Sequence, residues 1–234
     1  MRAILSLPRV MKRAAYRLLV RWSNVFSREN LHRFIDRKIE TLNCGGGPVR
    51  VLNIGAGGEL GARGTELRNA QIITVAYDPD RRPDIVGDVS RLTMFGPESF
   101  DTVLMFEVLE HISTPQAAID ELHRVLKTEG RLILSTPFLF EIHDAPHDYY
   151  RYTKFGLHHL LREFKNVVVR PRNGYIKAVL VPLLRLWRSP FVADRCFGLL
   201  CLAASFPLFP FIFLLNRVIR WDAATTGYVV TCEK

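Results

Sequence analysis

Between residues 138 and 153 the chain reads FLFEIHDAPHDYYRYT. Two imidazoles, His143 and His147, stand there among Asp144, Asp148, Tyr149, Tyr150 and Arg151. Histidine titrates near neutral pH and can take a proton from a reacting hydroxyl. His147 ranks first as a general base and His143 second. The bland alternative is that these groups bond one another and only hold the loop. A second stretch, FEVLEH (106–111), carries Glu107, Glu110 and His111 at i, i+3 and i+4. If helical, they share a face, where together with His147 they could gather a divalent ion. A third stretch, VRVLNIGAGG (49–58), runs from apolar residues into Gly55, Gly57 and Gly58. Glycines there let the backbone approach a nucleotide-like ligand. The dinucleotide pattern GxGxxG fails, because Leu60 stands where its third glycine belongs.

These stretches need elements to position them. VRVLNIG reads as a buried strand entering the glycine loop, and QIITVAYD (71–78) and FDTVLMFE (100–107) read as further strands. Thr114 and Pro115 mark a helix start, Thr114 as N-cap and Pro115 at the first helical position. AAIDELHRVLK continues that helix, and GRLILSTP (130–137) is the next strand. FGLHHLLREF (155–164) reads as helix, KNVVVR (165–170) as strand and TGYVVTCEK (226–234) as a last strand. Alternating strands and helices predict an α/β, doubly wound parallel sheet. Its ligand crevice lies at the carboxyl ends of the strands, so the 138–153 loop should overhang the ligand.

Charge is unevenly spread over the 234 residues. Residues 1–50 hold 11 Lys/Arg against 3 Asp/Glu, residues 51–150 hold 8 against 16, and residues 151–220 hold 12 against 2. Basic flanks suit nucleic acid, an anionic membrane surface or an acidic substrate. Cys44, Cys196, Cys201 and Cys232 form no CxxC pair and no metal spacing, which reads as reduced thiols in a cytosolic compartment. Arg9, Arg13, Arg17 and Arg21 recur every four residues opposite Val10, Met11, Ala14, Leu18 and Trp22. That pattern is a basic amphipathic helix, suited to a membrane surface or to packing on the domain. It also interrupts any secretion signal. Residues 196–216 are 21 residues without a charge. A single crossing would strand TGYVVTCEK on the wrong side of the membrane. Pro207 and Pro210 break a helix, so the expectation is a broken, hairpin-like element dipping into one leaflet, or else a buried subdomain or dimer face. Four regions follow: a basic helical region at 1–47, a core at 48–173, an apolar helical insert at 174–222 and a last core strand at 223–234.

NIGAGGE, AYD, IVGDVSRL, FDTVLMFEVLEH and EGRLILSTP occur in that order. Together they resemble the class I S-adenosylmethionine (SAM) dependent methyltransferases, in particular the type 11 family, over about residues 48–170 plus the final strand. The resemblance implies a Rossmann-like seven-stranded methyltransferase sheet whose last strand is antiparallel. It implies that Gly55, Ala56 and Gly57 lie under the methionine part of SAM and that Asp78 takes the ribose diol. Asp88 and Val89 would meet the adenine, and Phe106 and Glu107 would line the cofactor. Asn53 and Glu59 depart from the family, which usually has an acidic residue at the first position and often a glycine at the second. Asn53 still accepts a hydrogen bond and is kept among the cofactor contacts. EVLEH is also similar to a segment of metal-dependent small-RNA 2′-O-methyltransferases. Type 11 members carry it without a known metal requirement, and the expectation is that no metal is bound. The expected function is methyl transfer to the oxygen of a small-molecule, saccharide or lipid-linked acceptor. The expected location is the cytoplasmic face of a membrane, with a peripheral or monotopic attachment. RNA methylation, with nucleic acid on the basic flanks, and a catalytically silent anchoring subunit are the alternatives. No oligomeric state follows from the sequence.

Overall fold

The structure, a computed structural model, describes residues 9–45, 48–55, 57–219 and 221–234. Seven strands form one sheet: β1 (Val49–Ile54), β2 (Ala70–Ala76), β3 (Ile85–Val86), β4 (Phe100–Phe106), β5 (Leu126–Pro137), β6 (Lys165–Pro171) and β7 (Gly227–Glu233). Their order is β3-β2-β1-β4-β5-β7-β6. β7 runs antiparallel to β5 and β6, while β1 to β5 pair in parallel. This is the doubly wound sheet that the alternation predicts, with the reversed last strand that the family resemblance implies.

The side-chain period of two decides the layers. Val103 and Met105 of β4 join Leu52, Ile54, Leu132 and Leu134 on one face. There they meet Ala118, Ile119, Leu122 and Val125 of α4 (Pro115–Val125) and Leu157 of α5 (Lys154–Leu160). Leu104 and Phe106 turn to the other face, where Leu31, Ile35 and Ile39 of α2 (Glu29–Asn43) cover them. Thr114 stands at the N-cap of α4 as expected, but its hydroxyl makes no capping bond. β5 begins at Leu126 rather than at 130, because a register shift between its Phe100 and Thr102 pairings absorbs the extra residues.

The chain divides into two compact units. Leu31–Arg172 with Gly227–Lys234 make the sheet unit, and the residues up to Asn30 with Asn173–Thr226 make a helical unit. The sheet unit starts at Leu31, and Leu31, Ile35 and Ile39 of α2 pack in its core. In the helical unit α1 (Arg9–Ser27), α6 (Tyr175–Arg185) and α7 (Val192–Val218) surround Phe26, Val181, Leu184, Trp187, Leu202 and Ile212. Of the basic stripe on α1, the Arg17 and Arg21 side chains are described, and both are exposed. On the same helix Trp22 donates its indole N–H to Ser205 Oγ at 2.9 Å and packs on Phe206 and Phe209.

The broken hairpin expected around Pro207 and Pro210 is not formed. α7 is one helix of 27 residues that contains both prolines. Each ring removes one backbone bond, but both prolines lie on the exposed side. Phe209, Leu202 and Ile212 pack inward on the other and hold the helix together.

Candidate functional site

In this strand order the chain leaves β1 toward β2 and β3, and later leaves β4 toward β5. The crevice at such a reversal lies beyond the carboxyl ends of the two strands. A cleft of about 310 Å³ opens there, lined among others by Gly55, Gly87, Asp88, Val89, Val108, His111 and His147.

The floor is backbone. Gly55 follows β1 at φ +81°, and a Cβ on it would come 2.3 Å from Val108 Cγ2. Gly57 sits at φ +93°, where a Cβ would come 2.7 Å from Arg81 Cβ. Only glycine satisfies both constraints. Ala56 lies outside the described residues. Asp88 lines the cleft with Oδ1 fixed by the Ser90 N–H and hydroxyl, each at 2.8 Å, and buried Val89 lies beside it. Asp78, two residues past β2, is exposed and accepts a 2.9 Å bond from the Asp80 N–H.

Two expected contacts go elsewhere. Phe106 turns its ring into the core beneath α2, away from the cleft. Asn53 is fully buried and donates to the Gly61 carbonyl at 2.9 Å, which ties β1 to α3 (Gly58–Arg63). Its Oδ1 is buried with no hydrogen-bond partner.

The residues after β4 do not form the α-helix that i, i+3, i+4 spacing requires. Glu107 has φ +54°, and Leu109–His111 is a single 3₁₀ turn. Glu107 is thereby separated from Glu110. It accepts from Ser135 Oγ at 2.8 Å and pairs with the guanidinium of Arg172. Arg172 is buried, and nothing local in PRNG signals its role. It becomes visible only once β6 ends beside β7 and β5.

Glu110 is fully buried at the hub of two loops. Its carbonyl accepts the N–H groups of Tyr149 and Tyr150 at 2.9 and 3.2 Å, so the 138–153 loop is stitched to the end of β4. Tyr150 Oη adds a bond to Ser113 O, and Tyr152 Oη one to Leu109 O. Burial, reinforced by the charge of Glu107, pushes the Glu110 carboxyl well above its ordinary pKa. Asp148 behaves oppositely. A bidentate Arg151 at 2.5 and 2.7 Å holds it down to about 2. Asp148 also receives the His143 N–H at 2.9 Å. Burial lowers the pKa of the His143 imidazole and favours its neutral form.

The two expected bases thus separate. His147 lines the cleft, is exposed, and shares a 3.0 Å bond between Nδ1 and Tyr149 Oη. His143 lies behind it, edge-on to His111 with ring centroids 4.8 Å apart. His111 bridges the two groups, lining the cleft while its Nδ1 bonds the His147 carbonyl at 2.7 Å.

Comparison with known proteins fits this geometry. Residues 44–134 match the family described as "Methyltransferase domain". Over 102 residues the chain is 33% identical to a ubiquinone biosynthesis O-methyltransferase of Xanthomonas euvesicatoria, covering 38% of this chain and 43% of that one. Over 137 residues it is 28% identical to the protein of the same description from Dechloromonas aromatica, covering 45% and 58%. The chain therefore spans about half the length of these curated relatives. Among solved structures, a SAM-dependent methyltransferase from Archaeoglobus fulgidus superposes with a TM-score of 0.58 at 16% identity, over 89% of this chain and 95% of that one. Phosphoethanolamine N-methyltransferase 2 of Haemonchus contortus, solved with SAM, superposes with a TM-score of 0.56 at 13% identity, over 86% and 52%. At such identities the likeness is one of fold.

The sheet order and the glycine-floored cleft define a class I methyltransferase domain. Within that class, residues 44–134 match the model of the type 11 family, and the cofactor is SAM. The residues present fit that cofactor. Gly55 lines the cleft at a positive φ that side chains rarely adopt, so its bare backbone faces the cofactor's place. The carboxylates of Asp78 and Asp88 stand at the ends of successive strand units, and Val89 and Ile112 give the cleft apolar wall.

Proposed function

We propose that the protein is a SAM-dependent O-methyltransferase acting on an amphipathic or lipid-linked small-molecule acceptor at the cytoplasmic face of a membrane. The carrying observation is the cleft at the β1/β4 reversal, with a glycine floor and His147 on its rim. Oxygen as the accepting atom is supported by the two relatives, both ubiquinone biosynthesis O-methyltransferases. When bound, SAM supplies a sulfonium methyl, whose transfer forms a C–O bond, breaks the C–S bond and releases the acceptor's hydroxyl proton. The chain's own contribution is positioning and proton removal. His147 takes the proton at Nε2 when its Nδ1–H is donated to Tyr149 Oη. The Glu110 and Tyr149 backbone bonds keep that rim over the cleft. Asp78 and Asp88 are the carboxylates offered to the cofactor's polar ends.

The membrane part of the reading is supported by α7. Its mean hydropathy reaches 2.2 over its most apolar stretch. Phe197, Leu200, Phe206, Phe211, Leu214 and Val218 are each 50–70% exposed. A 27-residue helix is roughly 40 Å long, yet one crossing conflicts with the chain path. The insert leaves at Arg172 and returns at Gly227, whose carbonyl accepts the Arg172 N–H at 2.9 Å. α6, of 11 residues, is roughly 16 Å long and too short to provide a return crossing. A helix lying in one leaflet satisfies both constraints.

The test is transfer from methyl-labelled SAM in extracts of source cells, with organic, aqueous and nucleic-acid fractions counted. Label in the organic phase that disappears with Gly55→Val is the expected result. Label in nucleic acid, or no SAM binding by calorimetry, would overturn the reading.

A further inference from the structure

Glu110 Oε1 is buried with no hydrogen-bond partner. Leaving such an oxygen unmatched is unfavourable. Two imidazole nitrogens face it without reaching bonding distance: His111 Nε2 at 3.7 Å and His143 Nε2 at 3.8 Å. The three atoms lie within 4.8 Å of one another. Around a common ion with bonds of about 2.1 Å, tetrahedral donors stand roughly 3.4 Å apart. Small side-chain rotations close the difference.

The surroundings also orient the donors. His111 Nδ1 bonds the His147 carbonyl, so that nitrogen carries the proton and Nε2 keeps its lone pair. His143 Nδ1 faces Asp148 Oδ2 at 3.4 Å and the Glu141 carbonyl at 3.3 Å, and its Nε2 is likewise left as donor. Asp148 is locked in turn by Arg151. A carboxylate or carbonyl behind each ligating imidazole is the usual outer layer of a metal site. Asp144 Oδ2, 4.0 Å from His111 Nε2, stands near as a further oxygen.

We propose that Glu110, His111 and His143 bind one divalent transition-metal ion of the zinc type, with an open coordination position toward the cleft. Two imidazoles and one carboxylate suit such ions better than magnesium or calcium. The set differs from the one that spacing alone suggests. Glu107 is engaged by Arg172 and Ser135, and His147 is engaged by Tyr149. Because His111 lines the cleft, the open position is suited to an acceptor oxygen, whose proton His147 then removes. This catalytic use of the ion rests on the methyltransferase reading; the binding of the ion does not.

The full-length protein, stripped with chelator, is titrated with Co²⁺ without SAM, following visible absorption and heat. One equivalent per chain is expected, with affinity at least about 100-fold weaker in Glu110→Gln and in His143→Gln. Asp148→Asn should weaken it about 10–100-fold, and His147→Ala should leave it unchanged. Circular dichroism checks folding, and if the buried Glu110 variant fails to fold, the partly exposed His143 variant decides. No binding by the wild type, unchanged binding in His143→Gln, or equal loss in His147→Ala would overturn the site. SAM affinity is measured in parallel. Co²⁺ binding without SAM binding sinks only the functional reading, and SAM binding without Co²⁺ binding sinks only the metal site.

Discussion

Glu110 in the sheet unit has no exposed surface and one unbonded carboxylate oxygen, while Phe206 in the helical unit leaves 70% of its surface exposed. The usual partition places charge outside and hydrocarbon inside. Each unit departs from it, and in opposite directions. Around Glu110, Asp148 and Arg172 the buried polar groups are mostly matched, so the departure serves a rigid polar site. Along α7 the exposed apolar groups share one helix, so the departure serves a surface that prefers something other than water. Each departure marks the place where a ligand is proposed above, an ion beside Glu110 and lipid along α7.

The comparison can be broken or sharpened by experiment. The largest expected effect is on the apolar face. Phe206, Phe211 and Leu214 together replaced by serine should weaken binding to anionic phospholipid vesicles at least about 1000-fold, since each side chain contributes roughly 1.5–3 kcal/mol on burial. Unchanged co-sedimentation would show that α7 does not meet lipid. Next come two leucines of the same helix. Leu202→Ala, on the buried side, should lower unfolding stability by about 2–5 kcal/mol, whereas exposed Leu200→Ala should stay within about 0.5 kcal/mol. Equal losses in denaturant titration would mean that the exposed side is covered. In the sheet unit, Gly55→Val should weaken SAM binding at least about 100-fold, or about 2.7 kcal/mol, because its Cγ atoms would enter the space of Val108. Retained affinity by calorimetry would place the cofactor elsewhere. The smallest effect is His147→Ala, with turnover reduced at least about tenfold at unchanged SAM affinity. Unchanged turnover would leave His147 as a loop residue only.

Some of this was legible in the linear chain. The reversed last strand followed only from the family resemblance, but the strand-and-helix alternation and the glycine loop are local patterns, set by side-chain period and by φ. They survive folding because each is decided within a few residues. Helix breaking at Pro207 and Pro210 is also a local rule, yet it failed. Two lost backbone bonds are outweighed when Phe209, Leu202 and Ile212 pack on one side of α7.

What the residues by themselves determined is therefore the sheet, the position of its glycine-floored cleft and the presence of His143 and His147 beside it. Only the tertiary structure decided which histidine meets the cleft and which faces Glu110. It also decided that Glu107 turns away to Arg172 and that Phe106 lies beneath α2. The physical reason is distance along the chain. The partners of these groups are 65 residues away for Glu107 and 33 for the Glu110–His143 pair, so their chemistry depends on sheet closure, which no spacing within one segment encodes.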